Sequence, residues 1–132
     1  MTTFLVPTNS VDSSAAACDY LSDRLDEGDS VVAVNSLVGG DETSAEAVRD
    51  GKEALNVVDV RLSGIASVDT HQFVRGNEPA EDVLKACEEF DPEELVISIR
   101  DRSPTGKAVF GSVSQQLLLN TERPVVSVPR EQ

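Results

Sequence analysis

The chain has 132 residues, a typical length for one domain, and a formal net charge of −13 from 24 acidic and 11 basic residues. A negative field of this size repels DNA, RNA and anionic membranes, so neither a nucleic acid nor a membrane is an expected partner. No apolar run approaches the roughly 20 residues that a membrane-spanning helix needs, and the N-terminus lacks the basic segment of a signal peptide. We therefore expect one cytoplasmic domain over residues 1–132.

The excess of acid is compatible with two interpretations, an ordinary acidic protein or a halophilic one. The lysines are Lys52, Lys85 and Lys107 alone, and the apolar positions are rich in alanine and valine. At high ionic strength, salt would screen the repulsion among the acidic side chains. The composition therefore favours adaptation to high salt.

Apolar runs and helical stripes alternate along the chain. The predicted strands are 4–7, 31–34, 68–74, 95–98 and 124–128, and the predicted helices are 12–27, 41 or 43 to 62, 79–90, and from 111 onward. Asp12 and Ser13 have side chains suited to capping the first helix, and Gly28 is suited to ending it. Gly51 interrupts the apolar stripe of the second helix, which predicts close packing of this helix on the sheet.

The order β-α-β-α-β-α-β-α-β predicts an α/β fold, in which a doubly wound parallel sheet has helices on both faces. In such a fold, ligands bind at the carboxyl ends of the strands, where the strand order reverses. If the first and fourth strands flank that point, Pro7, Thr8 and Asn9 face the loop between Ser98 and Ser112.

That loop has the composition of an anion-binding segment. Arg100, Arg102 and Lys107 supply three of the eleven basic residues of the chain. Gly111 and Ser112 then open a helix, whose first N–H groups have no acceptor within the helix and attract an anion. The other interpretation is an ordinary capped helix that follows a solvated loop.

The loop is not a P-loop, whose pattern is GxxxxGK[ST]. Gly106 and Lys107 match the central pair, but Asp101 stands at the first glycine and Ala108 at the final hydroxyl. The hydroxyl that would coordinate magnesium is therefore absent from this pattern.

Residues suited to catalysis or metal binding are not evident in the sequence. His71 is the only histidine and has no nucleophile partner, while Cys18 and Cys87 each lie among apolar residues. Two distant cysteines of this kind are more often buried thiols than a disulfide or a zinc site. We therefore predict no catalytic residue and no metal ligand.

Three stretches of the chain resemble the universal stress protein family. They are LVPTNSVDSS near the N-terminus, VRGNEPAEDVL before the third helix, and the ending from Ser98 to Val128 with its GSVSQ and RPVVSV segments. The resemblance implies a five-stranded parallel sheet of order 3-2-1-4-5, of the adenine nucleotide alpha hydrolase-like kind. It also implies a homodimer paired through the last strand, whose apolar edge runs from Val125 to Val128.

ATP-binding members of this family carry G-x2-G-x9-G-[ST], and these positions here are Ser98, Asp101, Gly111 and Ser112. Ser98 adds a Cβ where the backbone should approach the nucleotide, and Asp101 adds a carboxylate beside the triphosphate, where like charges repel. Half of the motif therefore remains, which implies that ATP or another nucleotide is bound weakly or not at all. Mg²⁺ is expected only together with bound ATP.

The resemblance also transfers further positions of the family's nucleotide site. The adenine-contacting Asp of the family falls at Asn9, and a Val beside the nucleotide falls at Ser36. The other positions that fit the family's pattern are Pro7, Thr8, Arg100, Gly111, Ser112, Val113 and Ser114.

Three functions are compatible with these observations. The first is a non-enzymatic regulatory or binding domain that acts as a homodimer. The second is a slow Mg²⁺-dependent nucleotide hydrolase at the same pocket, with Asp101 as a metal ligand. The third is a purely structural dimerisation module. The scarcity of catalytic candidates favours the first.

Overall fold

The structure, a computed structural model, describes residues 1–100 and 111–130, with the side chains of Glu42 and Arg100 left aside. Strands and helices alternate through these residues, with one short 3₁₀ turn at Gly40–Glu42. The strands are β1 (Thr3–Pro7), β2 (Ser30–Leu37), β3 (Ser67–Val74), β4 (Glu94–Arg100) and β5 (Val125–Arg130), and the helices are α1 (Val11–Ser22), α2 (Ala45–Leu62), α3 (Pro79–Phe90) and α4 (Ser112–Asn120).

The five strands form one sheet in the order β3-β2-β1-β4-β5, and every neighbouring pair is parallel. Leu5 of β1 lies opposite Val32 of β2 on one side and Leu95 of β4 on the other. Strand order therefore reverses between β1 and β4, which confirms the predicted order and places a switch point at their carboxyl ends.

Two apolar cores lie on opposite faces of the sheet, as the pleat of the strands requires. The core under α1 and α2 contains Phe4, Val6, Ala17, Cys18, Leu21, Leu25, Val31, Ala33, Leu55, Val58, Leu62 and Val96. The core under α3 and α4 contains Leu5, Val32, Val34, Ala80, Val83, Ala86, Cys87, Leu95, Ile97, Ile99 and Leu117. The predicted coverage of both faces by helices is confirmed.

The first helix differs at both ends from its prediction. Its N-cap is Ser10, whose hydroxyl accepts a hydrogen bond from the backbone N–H of Ser13, so Asp12 and Ser13 lie inside the helix. The helix ends at Ser22, and Gly28 with its φ of 97° lies in the turn before β2 instead of ending the helix. Leu25 is still buried without being helical, which is why the apolar stripe overestimated the helix length.

The prediction of close packing at Gly51 is confirmed. A Cβ added at Gly51 would lie 2.1 Å from Oδ1 of Asn35 and 2.7 Å from Nε2 of Gln72. Only glycine lets α2 approach these two side chains of β2 and β3 so closely.

Both cysteines are free and buried, as predicted. Cys18 lies in the core under α1 and α2, and Cys87 lies in the core on the opposite face. Burial raises the pKa of Cys18 to about 11, and it also raises the pKa of Cys87.

Candidate functional site

The carboxyl end of β1 is held by a buried hydrogen-bond network. The backbone N–H of Thr8 donates to the carbonyl of Val34 over 2.9 Å, and the Thr8 carbonyl accepts from Nδ2 of Asn35 over 2.9 Å. The Thr8 hydroxyl lies 2.7 Å from that of Ser14, which donates to the Ala54 carbonyl of α2. Thr8 therefore has every polar group engaged, which fixes the direction in which the chain leaves β1.

The same network extends from Asn35 to the next strand and to α2. Nε2 of Gln72 donates to Oδ1 of Asn35 over 3.1 Å and to the Val48 carbonyl over 2.9 Å. Asn35 is buried, with 2% of its surface exposed. Asn35 therefore connects the ends of β1 and β2 to β3 and, through Gln72, to α2.

The start of α4 supplies the second wall of the site. Gly111 is the N-cap, and the first hydrogen bond of the helix runs from the Gln115 N–H to the Gly111 carbonyl over 3.0 Å. By helix geometry, the N–H groups of Ser112, Val113 and Ser114 have no acceptor within the helix. These donors and the positive end of the helix dipole favour an anion at this point.

A cavity of about 540 Å³ opens between these two walls, a volume within the usual range for small-molecule sites. It lies at the carboxyl ends of β1, β2 and β4, and residues from α1, α3, α4 and β5 complete it. Its lining residues are Pro7, Thr8, Asn9, Ser13, Val34, Ser36, Leu37, Pro79, Val83, Ile97, Ser98, Ile99, Gly111, Ser112, Val113, Ser114, Leu117 and Arg130.

The charge of this lining is unlike that of the whole chain, which is −13. Among the described residues that line the cavity, no Asp or Glu occurs, and Arg130 is the one charged side chain. Nη1 of Arg130 donates a hydrogen bond to Oγ of Ser13, which in turn donates to Oδ1 of Asn9 over 3.1 Å. The described lining therefore carries a positive charge in a strongly acidic protein.

Ser36 is attached to a buried carboxylate. Its hydroxyl donates to Asp82 of α3, whose side chain is wholly buried and also accepts from Nε of Arg75 over 3.0 Å and from Nδ2 of Asn77 over 2.9 Å. Burial would raise the pKa of Asp82, but the hydrogen bonds from Ser36, Asn77 and Arg75 outweigh it and hold the pKa below its usual value. Arg75 also lies over the ring of Phe73, with 4.2 Å to the centroid.

Nine of the eleven residues that the sequence suggested for nucleotide binding line this one cavity, although their contact with a nucleotide stays a prediction. They are Pro7, Thr8, Asn9, Ser36, Ser98, Gly111, Ser112, Val113 and Ser114. The backbone of Arg100 ends β4, while its side chain and the whole of Asp101 lie outside the described residues, as do Arg102 and Lys107.

Sequence reasoning missed Ser13 and Arg130 as cavity residues. Ser13 follows Asn9 by one helical turn, so the helix start at Ser10 could have placed it there. Arg130 follows Ser13 by 117 positions, and nothing local in the sequence links the two.

Ser98 has a buried hydroxyl at the base of the cavity. No hydrogen-bond partner for its Oγ is found within residues 1–100 and 111–130. A buried hydroxyl without a partner costs about 1–3 kcal/mol, so a hydrogen bond to this oxygen would be favourable.

The donors around the cavity fit a phosphate group. Unpaired helix N–H groups, the hydroxyls of Ser112 and Ser114, and the guanidinium of Arg130 all provide hydrogen-bond donors. In the described part of the chain, no group of three or more His, Cys, Asp or Glu side chains could hold a metal ion. His71 lies apart from the cavity, with Phe90 at 4.9 Å between ring centroids.

The chain is similar in sequence to known proteins. The model of the universal stress protein family matches residues 1–129. A universal stress protein of Mycolicibacterium smegmatis is 35% identical over 105 residues, which cover 80% of this chain and 78% of that relative.

Two solved structures resemble the fold throughout. A universal stress protein from Archaeoglobus fulgidus is 31% identical with a TM-score of 0.76, and the match covers 97% of this chain and 98% of that one. A universal stress protein from the same organism in complex with dAMP is 26% identical with a TM-score of 0.71 and the same coverage. No helix within the described residues has the length and apolar character to cross a membrane.

Proposed function

Because this chain belongs to the universal stress protein family, we propose that it is a homodimeric regulatory domain that binds an adenine nucleotide weakly at the carboxyl end of its sheet. The single observation that carries the proposal is the charge of the cavity. The described lining contains no carboxylate and one arginine, although the chain has 24 acidic and 11 basic residues. The described lining thus presents a cation where the fold favours a phosphate.

The shape of the cavity supports a nucleotide in preference to a bare anion. Val34 and Leu37 of β2 and Val83 of α3 form an apolar portion, which suits a base. Ser112 and Ser114 at the start of α4 form a polar portion, which suits a phosphate. The relative solved with dAMP, at 26% identity, carries an adenine mononucleotide.

Weak binding follows from the changed half of the motif. Ser98 lines the cavity at a position where the family has glycine. Its side chain takes the space through which a nucleotide would approach the protein backbone. We expect dissociation constants weaker than about 10 μM for AMP and ATP, or less than about 7 kcal/mol of binding free energy.

The homodimer is proposed through β5. Among the described residues, this strand lies at one edge of the sheet and pairs with β4 alone, so its outer edge is available to a second copy. Residues 125–128 are half-buried in the described chain, and pairing along them would cover their remaining apolar surface.

Isothermal titration of AMP and of ATP into the protein in high salt tests the nucleotide proposal. A matched pair of variants makes the test specific, because a Cβ added at Gly111 or at Gly64 meets no atom within 4 Å. Gly111→Val should weaken nucleotide binding at least fivefold, since Gly111 lines the cavity, whereas Gly64→Val should leave it unchanged. No heat from either nucleotide at millimolar concentration would refute the proposal.

A further inference from the structure

Arg130 connects the outer edge of the sheet to the first helix. It is the last residue of β5 and is half-buried, and its guanidinium donates to the hydroxyl of Ser13 in the first turn of α1. Since β1 and β4 lie between β5 and β2, the side chain passes along the carboxyl ends of the strands. That path ends at the first turn of α1, which follows β1.

The charge of Arg130 is not neutralised by an acidic partner among the described residues. The ion pairs there are Arg61–Asp19, Arg75–Asp82 and Arg123–Asp91. A guanidinium has five N–H donors in a planar fork, and the contact with Ser13 uses one of them. The remaining donors suit a carboxylate or phosphate with two adjacent oxygens.

The hydrogen-bond directions around Ser13 define what the neighbouring groups can offer. Oγ of Ser13 accepts from Arg130 and from Ser10, so its own hydrogen goes to Oδ1 of Asn9. That bond engages the acceptor of the Asn9 amide and leaves its two N–H donors. Arg130 and Asn9 therefore both present donors, a pattern that favours an anion and disfavours a cation or an amine.

The lining of the site suits a ligand that is apolar at one end and anionic at the other. Val34 and Leu37 line the cavity from β2, and their side chains are apolar. Arg130 extends from β5 to Ser13, so its guanidinium lies at the start of the helix that follows β1. A base at the first position would direct the 5′ phosphate of a mononucleotide toward the second.

We infer that Arg130 binds the phosphate of the nucleotide and is the residue that distinguishes a nucleotide from its nucleoside. The inference rests on the proposed nucleotide site and adds a phosphate-binding residue that lies outside the glycine motif. Ser13 acts as the positioning residue, because its hydroxyl holds the guanidinium at the cavity. The anion contact thus comes from the last strand as well as from the start of α4.

Titrations of AMP and of adenosine, in the same high-salt buffer, test this inference. We expect Arg130→Gln to weaken AMP at least tenfold and to change adenosine less than twofold, because only AMP carries the phosphate. Arg130→Lys should retain an intermediate affinity for AMP, since a lysine keeps the charge without the fork. Arg24→Gln is the matched control, because Arg24 stacks on the exposed side of Tyr20 and does not line the cavity.

The outcomes separate the two proposals. If wild-type protein binds AMP and Arg130→Gln binds it equally well, the role of Arg130 is refuted while the nucleotide site stands. If Arg130→Gln loses AMP and adenosine by the same factor with an unchanged melting temperature, Arg130 shapes the cavity and the role in phosphate binding is refuted. If the wild-type protein binds no adenine nucleotide or nucleoside, the proposed function fails and this inference fails with it.

Discussion

Oδ1 of Asn35 lies 2.1 Å from the position that a Cβ on Gly51 would occupy. Asn35 holds the Thr8 carbonyl at the end of β1, so α2 is packed directly against the network that supports the cavity. A glycine inside a helix is therefore connected to the site through one amide side chain.

Gly51→Ala should destabilise the protein by about 1–3 kcal/mol, because overpacking forces Asn35 or α2 to move. The sign of this change in stability is informative, because alanine is otherwise favoured over glycine in a helix interior by about 1 kcal/mol. Urea unfolding measures the change. Gly64→Ala, where a Cβ meets nothing within 4 Å, should stay within about 0.5 kcal/mol of wild type, and equal stability of both variants would contradict the prediction.

Asp82→Asn should destabilise the protein by about 1–3 kcal/mol at pH 7, because three donors lose a buried carboxylate. The matched control is Asp19→Asn, whose carboxylate pairs with Arg61 at the surface with 73% of its side chain exposed and should change stability by less than about 1 kcal/mol. Chemical unfolding measures the change in stability of both variants. Equal changes would show that the hydrogen bonds of Asp82 stabilise the protein no more than an exposed ion pair does.

The same carboxylate predicts how stability depends on pH. The pKa of Asp82 is held low by its hydrogen bonds despite burial, and the pKa of Asp29 is held low by backbone N–H groups of Asp26 and Thr2. A lowered pKa contributes stability above the usual Asp value of about 3.9, and this contribution is lost as the pH falls through the lower folded value. The melting temperature of the wild-type protein should therefore decrease as the pH is lowered below about 4. The melting temperature of Asp82→Asn should decrease less over the same pH range.

Restoring glycine at the two altered motif positions should improve nucleotide affinity. Ser98→Gly removes a side chain from the cavity, and Asp101→Gly removes a carboxylate from the sequence position that the family places beside the phosphates. The double variant should bind ATP at least fivefold more tightly by titration. Ser67→Gly is the control, because Ser67 is the exposed first residue of β3 and does not line the cavity.

A dimer through β5 should be sensitive to charge on that strand and not on the other edge. Ser127→Lys places a cation on the proposed interface, and Ser67→Lys places the same side chain on β3 at the opposite edge of the sheet. We expect light scattering to show a dimer for wild type and for Ser67→Lys, and a monomer for Ser127→Lys. A wild-type monomer at every concentration would remove the dimer from the proposal.

The order of elements and the place of the cavity follow from patterns that are local in sequence. The period of the apolar residues separates strands from helices, and parallel topology then fixes where their carboxyl ends meet. The N-cap of α1 was harder to predict, because Ser10, Asp12 and Ser13 all have side chains that can cap a helix. Only the backbone conformation identifies Ser10 as the cap.

Two residues that sequence reasoning missed, Asp82 and Arg130, each depend on a contact with a distant element. In the sequence, Asp82 is a charged residue beside the apolar stripe of α3. In the structure it is buried and accepts hydrogen bonds from Ser36, Arg75 and Asn77. Arg130 likewise belongs to the cavity only because its strand, at the edge of the sheet, brings it to α1. Such side chains become interpretable only once the tertiary packing is known.

The two buried cysteines lie in the two helical layers, one on each face of the sheet. The opening of each layer can therefore be measured separately. Cys18 belongs to α1 and Cys87 to α3, and they lie in cores on opposite faces of the sheet, so the sheet excludes a native disulfide between them. Their raised pKa keeps both thiols protonated at neutral pH, and a thiol reagent reaches each one only when its own layer opens. Labelling rates at the two positions therefore compare the opening of the two helical layers, and a ligand held between α1 and α4 should slow both rates together.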